Sequence, residues 1–309
     1  MLWTRAPRGM SRLEDELRVT FGEKLSMNRN LAEFTSIRIG GPADMMLVVD
    51  SQEELAAAMR AALRENIAVF CLGAGTNLIV SDRGVRGLVV RLGDGFAKFE
   101  IVGTHVSAGA SVDFGKLVEA VVDRGLEGLE FGEGIPGSVG GALIMNAGAF
   151  GGEIAPVVTA VHGVTAEGDK RVLSPSEIGF SYRRTNLPQR FVITKVEFEL
   201  RHGDRDRLRE RMLDVRAKRA ARQPQGFPNA GSIFKNPPGK FAGRLLESVG
   251  LKGHRIGNAA FSDHHANFIV NLGAARADDV HALMELARER VRAQTGVILE
   301  PEVRLAGEW

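Results

Sequence analysis

The chain has 309 residues, 44% of them hydrophobic and 25% charged, which excludes a disordered chain or a short binding peptide and allows two or three domains with their own cores. Forty basic residues against 38 acidic ones leave a formal charge of +2, too balanced for nucleic acid to be the main partner, so any anion site must be built locally. No apolar run reaches the roughly 18 residues of a membrane span, and the one cysteine, Cys71, has no internal disulfide partner; a soluble, cytoplasmic protein with a core thiol is expected.

The opening "MLWTRAPRGMSRLEDELRVTFGEKL" lacks the apolar stretch of a secretory signal. Met10 opens a helix, so the first nine residues read as an extension. A strand "DMMLVVD" precedes a helix predicted over residues 51–65, started by a capping box of Ser51 and Glu54. "AVFCLGAGTNLIVSDRGVRGLVVRL" follows as two or three strands separated by glycine turns. Short strands at "AKFEIVG" and "HVSAGA" lead to a helix "FGKLVEAVVDRG" closed by Gly125. Beyond a glycine-rich stretch, strands are expected near 155–163 and 191–200, the second with half-buried alternation. A long helix, "RDRLRERMLDVRAKRAARQ", then separates off the last hundred residues. These hold a helix at "KFAGRLLESVG", a strand "NFIVNL" and the amphipathic helix "ADDVHALMELARERVRAQTG". Helices and strands without strict alternation make the class α+β.

Two glycine motifs invite chemistry. "LGAGTN" (residues 72–77) lacks the third glycine of a dinucleotide fingerprint and returns as strand, so it is no Rossmann motif. Alone it reads as a structural turn, although its N–H groups and the Thr76 and Asn77 side chains suit a phosphate. "GEGIPGSVGGALIMNAGAFGGEI" packs eight glycines into residues 132–152. Without Cβ atoms such a backbone can approach a flat ligand or a pyrophosphate closely; cofactor binding, favoured over a tightly packed turn cluster, would offset the entropy those glycines lose. Arg183 in "SYRR", Ser232 in "PNAGSIFKNP" and Glu302 in "LEPEVR" read individually as a surface charge, a turn residue and a strand residue. No histidine or cysteine spacing fits a metal site, and Ser232 lacks the elbow of a hydrolase nucleophile.

Together, "FTSIRIGGPAD", "LGAGTNLIV", "GLEGLEFGEGIPGSVGGALIMNAGAFG", "FSYRRTNL", "PNAGSIFKNP", "HANFIVN" and "LEPEVR", in this order, closely resemble the UDP-N-acetylenolpyruvoylglucosamine reductase family of bacterial cell-wall synthesis. The resemblance implies an α+β, FAD-binding fold like that of vanillyl-alcohol oxidase, with subdomains at residues 28–92 and 93–204 after an N-terminal segment (1–27), and a substrate domain at 205–309. It assigns FAD to Gly73, Ala74, Gly75, Thr76 and Asn77, and to Gly134, Ile135, Pro136, Gly137, Ser138, Gly140, Gly141, Asn146, Ala147 and Gly148. A UDP-sugar falls to Tyr182, Asn229, Gly231, Lys235 and Asn236. Thr76 stands where the family commonly has Ser, and Phe150 where it often has Tyr. The short chain after Arg183 resembles the subtype without an inserted tyrosine loop, so Arg219 or Arg222 is the candidate for the substrate diphosphate. Neither "RIGGPAD" nor "GEGIPG" offers a His or Cys to tether a flavin, so dissociable FAD is expected.

In the reaction the resemblance implies, NADPH reduces FAD and the flavin passes hydride to the enolpyruvyl ether. Arg183 would grip the substrate carboxylate, Glu302 would lie near it in protonated form, and Ser232 would give the final proton, steadied by Lys235 or Asn236. The runner-up is an oxygen-using oxidase of the same fold. Nucleic acid and membrane partners are not expected, and the oligomeric state is expected to be monomeric or weakly associated.

Overall fold

The computed structural model describes residues 8–309, so the first seven of the nine residues read as an extension lie outside the described residues. The chain divides into two compact units that interleave along the sequence: one holds Ala43–Gly73, Arg86–Val215 and the chain up to Arg29, the other Asn30–Pro42, Ala74–Val85 and Arg216–Trp309.

In the first unit, α1 (Arg8–Phe21) buries Leu13, Leu17 and Phe21, spaced by four, in one core with Leu55 and Met59 of α2 (Gln52–Arg64). Ser51 Oγ accepts the Glu54 N–H at 3.1 Å, but the Glu54 carboxylate reaches back to the Asp50 N–H at 2.7 Å, so the box closes one residue earlier than the sequence suggests. That backbone bond, followed by the Lys24 ammonium at 2.6 Å, holds the Glu54 carboxyl below its usual range. A four-stranded sheet runs in the order Leu25–Asn30, Pro42–Val49, Val85–Leu92, Val69–Cys71. Cys71, expected in the core, is instead exposed at the end of its strand; protein crowding around it still desolvates the thiol and pushes its pKa up to about 11.

A second, five-stranded antiparallel sheet in this unit runs Lys170–Leu173, Val158–Val164, Val192–Glu199, His105–Gly109, Phe99–Val102. On its core side pack α3 (Phe114–Asp123), capped by Asp113 and followed by Gly125 (φ 68°), and α4 (Val139–Ile144). The one-turn α5 (Pro175–Ile178) adds Ile178 to the same core. The long α6 (Arg205–Arg222) buries only Leu208, Met212 and Val215 and is otherwise mostly charged. Within this core Thr194 is 1% exposed and its Oγ1 has no hydrogen-bond partner among the described residues. Valine has the same shape without the hydroxyl. Thr194→Val is therefore expected to stabilise the protein by about 1 kcal/mol, seen as a higher midpoint in thermal unfolding.

The second unit is built on a four-stranded antiparallel sheet in the order Asn229–Ser232, Phe268–Asn271, Ala259–Phe261, Arg255–Ile256. Residues of α7 (Ala242–Ser248) and the stripe Val280, Leu283, Met284, Ala287 and Val291 of α8 (Ala277–Thr295) complete its core. The early segment 74–85 belongs here because Leu78–Val80 pairs in parallel with Arg304–Ala306. Asp82 also accepts the N–H groups of Ala277 and Asp278 at 3.0 and 3.1 Å, a carboxylate at the positive end of α8. Among the described residues, no helix is long and apolar enough to cross a membrane, and no cluster of His, Cys, Asp or Glu is suited to hold a metal.

Candidate active site

In the first unit the glycine-rich loop leads into α4. Ser138 caps this helix, its Oγ accepting the Gly141 N–H at 3.3 Å, while the N–H groups of Val139 and Gly140 go to Val112 O and Ala110 O at 2.9 Å. Gly140 is pressed so closely on Ala110 that a Cβ there would sit 3.0 Å from the alanine methyl carbon. The helix terminus is thus fixed by protein bonds. Just before it, the N–H groups of Gly134, Gly137 and Ser138 meet no acceptor among the described residues, although Ser138 is buried. Ile135 donates to Gly132 O at 3.0 Å and so shapes the turn that carries Pro136. Gly73 comes alongside, where an added Cβ would lie 3.2 Å from Ser138 Oγ.

Past α4, Asn146 is 1% exposed and turns the chain at φ 40°. Its Nδ2 donates to Glu153 Oε2 at 3.0 Å and to Ser181 O at 3.1 Å, and its Oδ1 accepts the Ala155 N–H at 3.1 Å. One buried amide therefore ties the glycine loop to the "FSYRR" segment. Arg183 (φ 55°) reaches back over the loop, so that a Cβ on Gly148 would stand 3.2 Å from Arg183 Nη1. Its guanidinium carbon also lies 5.2 Å from the ring centroid of Tyr182. Ala147, next to Gly148, is buried and accepts the Ile154 N–H. Asn146, Phe150 (φ 51°) and Arg183 are three of the eight non-glycine residues with positive φ among the described residues, a concentration of strain expected at a functional site.

The second unit brings together a different set. Ile233 O accepts the N–H of Glu302 at 2.8 Å, so Glu302 lies beside the residue that follows Ser232, in the irregular segment just before the strand Arg304–Ala306 and not on the strand expected from the sequence. Asn77 Nδ2 donates to Glu302 O at 3.1 Å and Asn77 O accepts the Arg304 N–H at 3.0 Å, so the "GAGTN" turn is sewn to the same segment. Thr76 O would lie 3.9 Å from a Cβ on Gly231. Asn229 accepts the Gly231 N–H through Oδ1 at 3.1 Å, forming the small turn that presents Ser232. Lys235, suggested by the sequence as support for Ser232, pairs with Glu300 at 2.6 Å, and Asn236 Oδ1 accepts the Ala242 N–H at the start of α7. Arg219 and Arg222 stand in the last turn of α6. Ala74 and Gly75 belong to this unit, whereas Gly73 belongs to the other, so the boundary of the compact units falls inside the turn.

Two family models match the chain: an FAD binding domain over residues 43–174, and the C-terminal domain of UDP-N-acetylenolpyruvoylglucosamine reductase over residues 223–306. UDP-N-acetylenolpyruvoylglucosamine reductase 2 of Symbiobacterium thermophilum is 48% identical over 278 residues, covering 90% of each chain. The reductase of an Anaeromyxobacter species is 47% identical over 298 residues, 96% of this chain and 93% of its own. The chain belongs to the UDP-N-acetylenolpyruvoylglucosamine reductase family. A crystal structure of the family member from Thermus caldophilus matches at a TM-score of 0.80 and 38% identity, over 91% of this chain and 98% of that one. The fold is accordingly the FAD-binding fold of the vanillyl-alcohol oxidase type joined to the family's C-terminal domain, and the protein is a flavin oxidoreductase with FAD as its cofactor.

The residues present fit that cofactor. The unclaimed N–H groups of Gly134, Gly137 and Ser138 are donors of the kind that flavin carbonyls and pyrophosphate oxygens need, and at Ser138, which is buried, an N–H left unpaired is costly. Several supporting residues escaped sequence reasoning. Ser36 donates its N–H to Gly75 O at 3.1 Å and its hydroxyl to Asn229 O at 2.7 Å, joining two motifs. Asn267 pairs with the backbone of Phe234 on both sides, Oδ1 accepting at 3.0 Å and Nδ2 donating at 2.8 Å, which fixes the chain just after Ser232. Their signal was a polar residue set among apolar neighbours in "TSIRI" and "ANFIVN", which points to buried hydrogen bonds without naming the partners.

Proposed function

We propose that the protein catalyses NADPH-dependent reduction of UDP-N-acetylglucosamine enolpyruvate to UDP-N-acetylmuramate, a step in peptidoglycan precursor synthesis. The observation that carries this reading is the backbone bond that brings the Glu302 segment beside the end of the Ser232 strand, Glu302 N–H on Ile233 O at 2.8 Å, within the matched C-terminal domain. An oxidase or a nucleotide sensor has no need of a proton donor beside a carboxyl group. The chemistry that FAD supplies when bound is hydride transfer, taken from NADPH and delivered from N5 to the terminal carbon of the enolpyruvyl ether.

The side chains handle what remains. Hydride addition drives negative charge onto the carbon that bears the carboxylate, and an enolate of a carboxylate needs fixed positive charge where that charge appears. Arg183 supplies it through two parallel N–H donors, held ready by a strained backbone and by the Asn146 tie to Ser181. Ser232 Oγ then gives its proton to the same carbon, and Glu302, in protonated form, donates to the substrate carboxylate. The diphosphate falls to Arg219 or Arg222, with Tyr182, Asn229 and Gly231 lining the sugar nucleotide. Arg183→Lys is expected to lower kcat/KM for the enolpyruvyl substrate about 100-fold while leaving NADPH reduction of the flavin at the parent rate, because lysine keeps the charge and loses the fork.

The purified protein is expected to be yellow, and acid precipitation should release the flavin into the supernatant; flavin that stayed with the precipitated chain would contradict dissociable FAD. The deciding test is anaerobic stopped-flow mixing of the NADPH-reduced protein with the enolpyruvyl substrate or with oxygen. Fast reoxidation by the substrate supports the reductase. Fast reoxidation by oxygen alone would make the protein an oxidase of the same fold.

A further inference from the structure

Arg38 stands in the left-handed region at φ 57°, a conformation disfavoured for any residue with a Cβ and held only where the surroundings impose it. Here they do. Ile37 and Ile39 on either side are buried, and the Arg38 N–H donates to Thr35 O at 3.0 Å. The buried amide of Asn271 donates to Ile37 O at 2.9 Å and to Arg38 O at 3.5 Å, while its Oδ1 accepts the N–H groups of Gly273 and Ala275. The arginine side chain itself is exposed and makes no hydrogen bond or ion pair among the described residues. Glycine would fill this turn without strain, and a residue that only covered the surface would not need such a clamp. Through Ser36, two positions away, the same turn is bonded to Gly75 O and Asn229 O, the backbone of two loops of the proposed site within this unit.

We infer that Arg38 is a phosphate-binding residue of this site, its guanidinium fork taking a pair of oxygens on the diphosphate of a nucleotide ligand. The inference rests on the reductase reading, under which the site handles three diphosphates: those of FAD, of NADPH and of the UDP-sugar. The clamp makes sense in these terms, since a guanidinium carried on a fixed backbone loses less freedom when the anion arrives than one on a mobile loop.

The test uses the FAD-loaded protein and the substitutions Arg38→Gly, Arg38→Lys and Arg38→Gln. Arg38→Gly relieves the backbone, so its thermal midpoint should rise by about 2 °C, yet one ligand should bind about tenfold more weakly or worse. Arg38→Lys should fall between the parent and Arg38→Gln in the same assay, because it keeps the charge without the fork. FAD release on dilution, KM for NADPH and KM for the enolpyruvyl UDP-sugar identify which diphosphate is held. Arg38→Gly with all three unchanged would overturn the inference, as would a lowered midpoint accompanied by general loss of activity. The parent chain measured alongside separates the two ideas: if it fails to turn over the enolpyruvyl substrate, the reductase reading is lost, while FAD release and NADPH reduction still report on Arg38.

Discussion

Ser232→Ala is expected to stop the second half-reaction, slowing reoxidation of the flavin by the enolpyruvyl substrate about 1,000-fold or more, while NADPH still reduces the flavin at the parent rate. Serine is a weak acid, but a carboxylate enolate is a strong enough base to take its proton when the hydroxyl is well placed. Local hydrogen bonds fix the chain on either side of Ser232. Asn229 shapes the turn before Ser232, and Asn267 clamps both backbone groups of Phe234 two residues after it. The Glu302 N–H is bonded to the carbonyl of Ile233, the next residue. Because Ser232 is a short, half-buried side chain at a strand end, its loss should leave the thermal midpoint close to that of the parent. A variant whose flavin could no longer be reduced by NADPH would show instead that Ser232 is a structural residue.

Gly75→Ala should have a large effect on the folded protein itself. Gly75 has φ 64°, and an ideal Cβ there would stand 2.0 Å from the carbonyl oxygen of Phe34. The left-handed backbone alone costs an alanine about 1–2 kcal/mol, and the overlap is with main chain that cannot rotate away. Phe34 precedes Thr35, whose Oγ1 bonds Ile39 O at 2.9 Å, and Ser36, which holds Gly75 O. A shift to accommodate the methyl group would therefore disturb the Arg38 turn as well as the "GAGTN" loop. The expected result is a fall in stability of about 2 kcal/mol or more, read by denaturant unfolding, together with reduced FAD content in the purified protein. Parent-like stability and full flavin content would show that this approach is looser than the distances imply.

Much of the local structure was legible in the sequence because short-range rules set it. Ser51 starts α2, Gly125 follows α3, and the stripes that bury Leu13 and Leu17 or Val280 and Leu283 follow helical spacing. The ordered set of motifs sufficed to indicate the family, since seven short segments in fixed order are far more specific than any one of them. What local spacing could not reveal was which motif lies beside which. Cys71 looked like a core residue because cysteine usually is one, yet its strand ends at the surface. Lys235 and Asn236 read as support for Ser232, and nothing in the sequence showed that Glu300 pairs with the first and the Ala242 N–H bonds the second.

The sequence alone determined the α+β class, the principal helices and the family, because propensity, capping and motif order act along the chain. Only the tertiary structure decided that "GAGTN" is joined to the Glu302 segment through Asn77, that Asn146 connects the glycine loop to the Arg183 segment, and that Asn271 clamps Arg38 in a strained turn. These bonds join residues 225, 35 and 233 positions apart. Such contacts form when buried amide and carbonyl groups must find partners away from water, and no periodicity in the chain records which partner each one finds.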